Sequence, residues 1–272
     1  MGLIEAIVLG LIQGLTEFLP VSSSGHVLLA SRLIWGDVGA GFTAVIQLGT
    51  LLAVLIYFWG DLAKIFVAWL RSIFRSDARA AVEARMGWAV FIGTIPVVIF
   101  GLLFKDQIET VLRGAMFVAA MLFGVSILML IADRMGRRAR AAESVNVMDG
   151  FVVGLFQCLA LIPGASRSGS TIVGGLFLGL DREAAARFSF LLSVPSVFGS
   201  GLYELFKSRH ALMIEGAGAT VIATLVAFVS GYAAIAFLMR YLQRHTLTVF
   251  IVYRIALAAF IVGLVFAGVK LA

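Results

Sequence analysis

"GLIQGLTEFLPVSSSGH", from Gly10 to His26, and "GLFQCLALIPGASRSGS", from Gly154 to Ser170, align without a gap at an offset of 144 and agree at seven of 17 positions. Among the identities are Gly10 with Gly154, Gln13 with Gln157, Ser22 with Ser166, Ser24 with Ser168 and Gly25 with Gly169, while Pro20 and Pro163 stand one residue out of register. Each stretch is an apolar run halted at a proline and followed by small polar residues. Such a run predicts a helix that breaks, and a broken helix in lipid is tolerated only inside protein or beside a water-filled cavity. Three crossing candidates separate the copies, an odd number, so the copies run in opposite senses across a bilayer, the plan of an inverted repeat. The plainer reading is that both are Gly-rich packing helices, since Gly10/Gly14, Gly150/Gly154 and Gly175/Gly179 have small-xxx-small spacing.

The surroundings demand a membrane. The chain is 61% hydrophobic, 13% charged, and has a mean hydropathy of +1.06. Charge-free stretches run from Val38 to Gly60, Met86 to Phe104, Gly114 to Ala132 and Gly216 to Met239, each long enough for a hydrocarbon core that takes about 20 residues. Phe188 to Tyr203 and Ile255 to Val269 extend to spanning length with uncharged neighbours. The expected fold is an all-α polytopic membrane protein with six transmembrane helices and two re-entrant helical hairpins in an inverted-topology repeat. It forms one membrane domain, with repeat 1 over approximately residues 1–113 and repeat 2 over approximately 114–272.

The net charge of +6 reads as topology rather than nucleic-acid binding. Lys64, Arg71, Arg75, Arg79 and Arg85 fall in one connection, Arg134, Arg137, Arg138 and Arg140 in another, and Arg240, Arg244 and Arg254 near a third. Alternate connections carry only Lys105 with Arg113, and Lys207 with Arg209. The basic group is therefore cytoplasmic. Trp35, Trp59, Trp69 and Trp88 sit near span boundaries as interfacial anchors. One cysteine, Cys158, and three histidines exclude an internal disulfide and a zinc finger. The N-terminus lacks the basic region of a cleavable signal and is read as part of the fold.

Within the first copy, Gln13 and Glu17 are four residues apart and share a helix face. An acid at membrane depth is a functional candidate, with snorkelling to the interface as the alternative. Ser22, Ser23 and Ser24 serve equally as a turn and helix cap or as candidate nucleophiles beside a base, His26. The second copy adds Arg167, a planar guanidinium suited to phosphate, among Ser166, Ser168 and Thr171 at a helix start. Arg167 paired structurally with Glu17 is the competing assignment. An acid, a base, hydroxyls and an anion clamp are what phosphorus chemistry at a membrane requires.

"QGLTEFLPVSSSGH" and "PGASRSGST" resemble the two signature regions of the bacterial undecaprenyl-diphosphate phosphatase family, also called bacitracin-resistance proteins, and the likeness in length and hydropathy covers essentially the whole chain. The first region follows E/Q-x-x-x-E and the second P-G-x-S-R-S-x-x-T. The resemblance implies hydrolysis of a long-chain prenyl diphosphate, the C55 lipid, to the monophosphate carrier for cell-wall synthesis. It further implies an inner-membrane location, an active site open to the periplasmic side, and a divalent cation, Mg²⁺ or Ca²⁺. Gln13 takes the less acidic option of the motif, so Glu17 is the only carboxylate of this loop for a metal.

On this reading Ser23 attacks the terminal phosphorus, a placement that rests partly on the resemblance, with His26 as general base. Arg167, Ser166, Ser168 and Thr171 stabilise the phosphoryl oxygens, and Glu17 and Gln13 orient the cation or the histidine. Ser22 lines the same site. A metal-activated water is an alternative nucleophile, and a transporter or flippase of a lipid-linked phosphate is the alternative function. Membrane lipids are the other expected partners, and monomer and homodimer remain equally open.

Overall fold

The structure, a computed structural model, describes residues 2–30, 33, 40–75, 81–104, 107–108, 112 and 114–269. Trp35, Arg79, Lys105 and Arg113 lie outside the described residues. In chain order the helices are α1 (Leu3–Phe18), α2 (Ser23–Ala30), α3 (Ala40–Tyr57), α4 (Trp59–Phe74), α5 (Val82–Leu103) and α6 (Ala115–Met135). There follow α7 (Val147–Cys158), α8 (Arg167–Phe177), α9 (Arg182–Leu242) and α10 (Thr248–Phe266). Among the described residues there is no strand, and one isolated bridge pairs Arg140 with Leu180.

α9 folds back on itself. Gln243, just past its end, donates to Glu183 near its start at 3.1 Å, although they are 60 residues apart; a straight helix of that length would separate them by about 90 Å. Its arms, Arg182–Lys207 and Gly218–Leu242, join α5, α6 and α10 as five helices long and apolar enough to cross a membrane. Among the described residues α3 and α4 together make a further candidate, bent by 82° between the two helices. The protein is thus a multi-pass helical membrane protein.

Of the expected span from Val38 to Gly60, Ala40–Tyr57 is helical and the bend falls at its end, whereas the expected loop after it is corrected: it is helical over Trp59–Phe74. Phe58 leaves helical geometry at φ −102°, ψ 19° between the two helices. α4 is amphipathic, its charged and apolar residues sorted onto separate faces, a pattern that a reading by charge-free length alone passes over.

Glycine sets how closely the remaining helices approach. A Cβ on Gly10 would lie 2.4 Å from the Ala223 carbonyl oxygen, and one on Gly154 would lie 2.2 Å from that of Gly93. α1 therefore presses backbone to backbone on the second arm of α9, as α7 does on α5. Beneath the polar turns a core of Phe18, Val21, Ala165, Ile172, Phe188 and Phe190 closes the centre, with Phe18 edge-on to Phe190 at 5.4 Å.

Polar connections tie one end of the bundle. Arg182 pairs with Asp133 at 2.5 Å, Arg187 with Asp61 at 2.7 Å and Arg140 with Asp149 at 2.6 Å. The hydrogen bond from Arg140 to Asp149 raises the arginine pKa above its ordinary value.

Candidate active site

Both broken helices end as the sequence demands. Leu19, before Pro20, is extended at φ −66°, ψ 139°, and Ile162, before Pro163, at φ −91°, ψ 120°. The following turns share an unusual feature: Ser22 and Ser166 have positive φ, 75° and 71°, at the offset of 144 read in the sequence. Non-glycine residues reach this region only when their surroundings hold them there, and such strain concentrates at functional sites. The restraint is the same in both copies. Ser166 Oγ accepts from the Gly169 N–H at 3.1 Å and Ser22 Oγ from the Gly25 N–H at 3.4 Å. Ser22 and Ser24 hydroxyls pair at 3.1 Å, and Ser166 and Ser168 at 3.2 Å.

The turns then interlock. Ser24 Oγ accepts from the Gly164 N–H at 3.1 Å, and Ser168 Oγ donates to the Leu19 carbonyl at 3.1 Å. Equivalent serines thus reach from each turn to the backbone of the other, and the starts of α2 and α8 meet in one cluster.

Glu17 is the hub. Its Oε2 accepts from Gln13 Nε2 at 2.8 Å and from Ser23 Oγ at 2.7 Å, while its Oε1 pairs with Arg167 Nη2 at 2.9 Å. The carboxylate is 8% exposed and Gln13 1%. Burial without partners would be costly for an acid, and here three groups, one each from α1, α2 and α8, share the charge. The structural pairing of Arg167 is seen: Nη2 pairs with Glu17, and Nη1 donates to the Ser193 carbonyl at 3.4 Å. Ser23 is half-buried, so its oxygen stands at the rim with the acid behind it.

His26 makes two hydrogen bonds through its ring nitrogens. Its Nδ1 lies 2.7 Å from the Ser22 carbonyl oxygen, and a carbonyl only accepts, so Nδ1 carries the proton. Nε2 then accepts from the Tyr253 hydroxyl at 2.6 Å. The carboxylate bonded to Ser23 is that of Glu17, and His26 and Tyr253 form a separate hydrogen-bonded pair.

The remaining predicted residues are present with their hydroxyls engaged. Thr171 donates to the Arg167 carbonyl at 2.7 Å and contacts Ser189 Oγ at 2.5 Å. Ser166 and Ser168 hold the turns as described. They shape the cradle for Arg167 more directly than they present donors to a ligand.

Two residues were missed. Arg254, counted with the basic connections in the sequence, is a correction: it is 0% exposed, seven residues into α10. Its guanidinium donates to Ser126 Oγ at 3.0 Å, to the carbonyls of Gly164 and Ala165 at 3.2 and 3.1 Å, and to Pro20 at 3.3 Å. It also reaches Leu122 at 3.2 Å. One side chain thereby fastens both turns to α6. Its neighbour Tyr253 is the other. The available signal was a Tyr-Arg pair inside an otherwise uncharged span, where an ionisable group is expensive.

Among the described residues no group of three or more His, Cys, Asp or Glu could hold a metal ion. Gln13 Oε1 is buried and has no partner.

The family model for bacitracin resistance protein BacA matches residues 6–260. The chain belongs to this family. It is 48% identical to an undecaprenyl-diphosphatase of Chlorobaculum tepidum over 98% of this chain and 99% of that protein. It is 50% identical to the proteins of that name from Thermobifida fusca, over 99% of this chain and 92% of the relative, and from Kineococcus radiotolerans, over 98% and 95%. The family match contains both turns, the hub carboxylate and Arg254.

Proposed function

We propose that this chain hydrolyses undecaprenyl diphosphate to undecaprenyl phosphate and inorganic phosphate, returning a carrier lipid to cell-wall synthesis. The name borne by relatives of about half identity over full length supplies the substrate. The observation that carries the chemistry is the chain Ser23–Glu17–Arg167, which joins a hydroxyl, its base and an anion-binding cation across the two loops.

Ser23 Oγ attacks the terminal phosphorus as its proton passes to Glu17 Oε2; the Oγ–P bond forms and the bridging P–O bond breaks, releasing the lipid monophosphate. N–H groups of Arg167 and the start of α8 face the charge that develops on the phosphoryl oxygens. In the second half, water attacks the phosphoserine. Its proton goes to His26 Nε2 and from there to solvent, Ser23 recovers its proton from Glu17 as the Oγ–P bond breaks, and inorganic phosphate leaves. The Ser22 carbonyl, which accepts from Nδ1–H, holds His26 in the tautomer whose Nε2 accepts. Direct attack by water, with Ser23 as a donor only, is separated from this route by a phosphoserine trap.

Glu17 and Gln13, whose buried Oε1 has no partner, are the residues of this loop that would hold the expected divalent cation. Bound there it would neutralise phosphate charge.

The finer architecture belongs to the same proposal: six crossings, with α1–α2 and α7–α8 as re-entrant hairpins of an inverted repeat. The matched turns support it. So does depth: Leu122, beside Arg254 and the turns, is 11 residues from Asp133 at the ion-paired end, about 16 Å of helix and roughly half a hydrocarbon core. The basic end is cytoplasmic in the inner membrane, the site opens to the outer face, and the prenyl tail leaves along the exposed Val252, Tyr253 and Phe260 of α10.

The test is phosphate release from undecaprenyl diphosphate by purified protein, with and without chelator, for wild type, Ser23→Ala, His26→Ala and Arg167→Ala. Cation-dependent release that falls by about 10³-fold or more in Ser23→Ala and Arg167→Ala is expected. No release by folded wild type with cation supplied would overturn the phosphatase and favour a carrier.

A further inference from the structure

α4 presents three distinct faces. Asp61, Trp69 and Ser72 face the protein, through the Arg187 ion pair, an edge contact of Trp69 with Trp88 at 5.8 Å, and a hydrogen bond from Trp88 Nε1 to Ser72 Oγ at 2.9 Å. A second face is apolar and uncovered: Trp59 is 70% exposed, Phe66 58% and Phe74 82%. Lys64, Arg71 and Arg75 form a third, exposed stripe, and among the described residues none of the three has a carboxylate partner.

The bend of 82° after α3 turns this helix across the direction of the bundle. A helix so placed, greasy on one side and cationic on the next, is built to lie in a bilayer interface. Beside the stripe, α4 and the start of α5 enclose a shallow groove of about 430 Å³ lined by Ala63, Lys64, Val67, Ala68, Arg71 and Glu83. Two cations stand at its rim over an apolar floor, with Glu83 the only carboxylate in the lining.

We propose that this groove is a binding site for an anionic phospholipid of the surrounding bilayer, whose headgroup phosphate lies between Lys64 and Arg71 and whose glycerol and upper chain rest on Val67 and Ala68. The commitment to a lipid follows from the apolar face beside the cations, which a soluble phosphate would leave uncovered. This site is separate from the Ser23–Glu17–Arg167 cluster and does not depend on the phosphatase reading.

The full chain in neutral detergent is titrated with phosphatidylglycerol, phosphatidylcholine or inorganic phosphate while its thermal midpoint is followed, for wild type and for Lys64→Gln/Arg71→Gln. Phosphatidylglycerol is expected to raise the wild-type midpoint well above the other two additions. The double variant should lose at least half of that difference while matching wild type in the absence of lipid. An equal rise with phosphatidylcholine or with inorganic phosphate, or an undiminished rise in the variant, overturns the proposal. Should the variant fold poorly, Phe74→Cys carrying a fluorophore is reconstituted with nitroxide-labelled lipids. Quenching by a label near the headgroup, stronger with anionic lipid present, is expected, and absence of quenching overturns it.

Discussion

At the scale of single residues, Glu17 illustrates what could and could not be read in advance. Its sharing of a face with Gln13 follows from a spacing of four, and the 2.8 Å hydrogen bond between them is the result. That Ser23 binds Glu17 rather than His26 depends on a turn whose central serine has φ 75°, a conformation no propensity favours for serine. Arg167 was legible as a partner for Glu17, because a buried charge needs one. Arg254 was not, because charge counting treats every arginine near a span boundary as topological, and only the folded chain brings Pro20, Gly164 and Ala165 to it. Its geometry yields a prediction. Lysine at this position keeps the charge but lacks the planar fork that reaches three segments at once. Arg254→Lys is expected to lower kcat by about 100-fold through misplacement of the turns while KM changes little. Steady-state kinetics on the folded variant checks this, and wild-type kcat would show that charge alone suffices.

Between elements, the controlling quantity is the distance of closest approach. The small-xxx-small spacings and the catalytic-loop reading are not rivals, because the glycines that let α1 and α7 press on their neighbours also fix where Glu17 and the second turn lie. The helices themselves were legible from hydropathy, and the breaks from Pro20 and Pro163. The turn-back within α9 was legible too, because Lys207 and Arg209 separate two apolar stretches that the structure gives as two spans; the bend before α4 was harder, since no proline stands at Phe58. A substitution separates packing from chemistry. Gly154→Val would drive side-chain carbon into the Gly93 backbone, where no side chain can rotate away. Such overpacking costs about 1–3 kcal/mol or more. A lowered thermal midpoint is expected, with phosphate release falling in parallel, whereas an unchanged midpoint would show that α5 and α7 separate freely.

For the whole molecule, composition alone required a membrane, and five described spans with a sixth bent candidate agree with it. The repeat was visible because serine, glycine and glutamine recur at one offset. Its consequence, two turns exchanging hydrogen bonds and one acid serving both, is tertiary and appears only when the halves meet. The central claim is that residues 150 positions apart, Glu17 and Arg167, act as one unit. Removing one partner of a buried pair costs on the order of 3–5 kcal/mol, and groups that act together are strongly non-additive when removed together. The direct measurement is a double-mutant cycle in kcat for release of phosphate from undecaprenyl diphosphate, using Glu17→Gln, Arg167→Ala and both, each verified as folded. The expected result is that both single variants lose nearly all activity and the double variant is no worse than the poorer of them. Independent, multiplicative losses, or a Glu17→Gln protein that keeps wild-type turnover, would contradict the account.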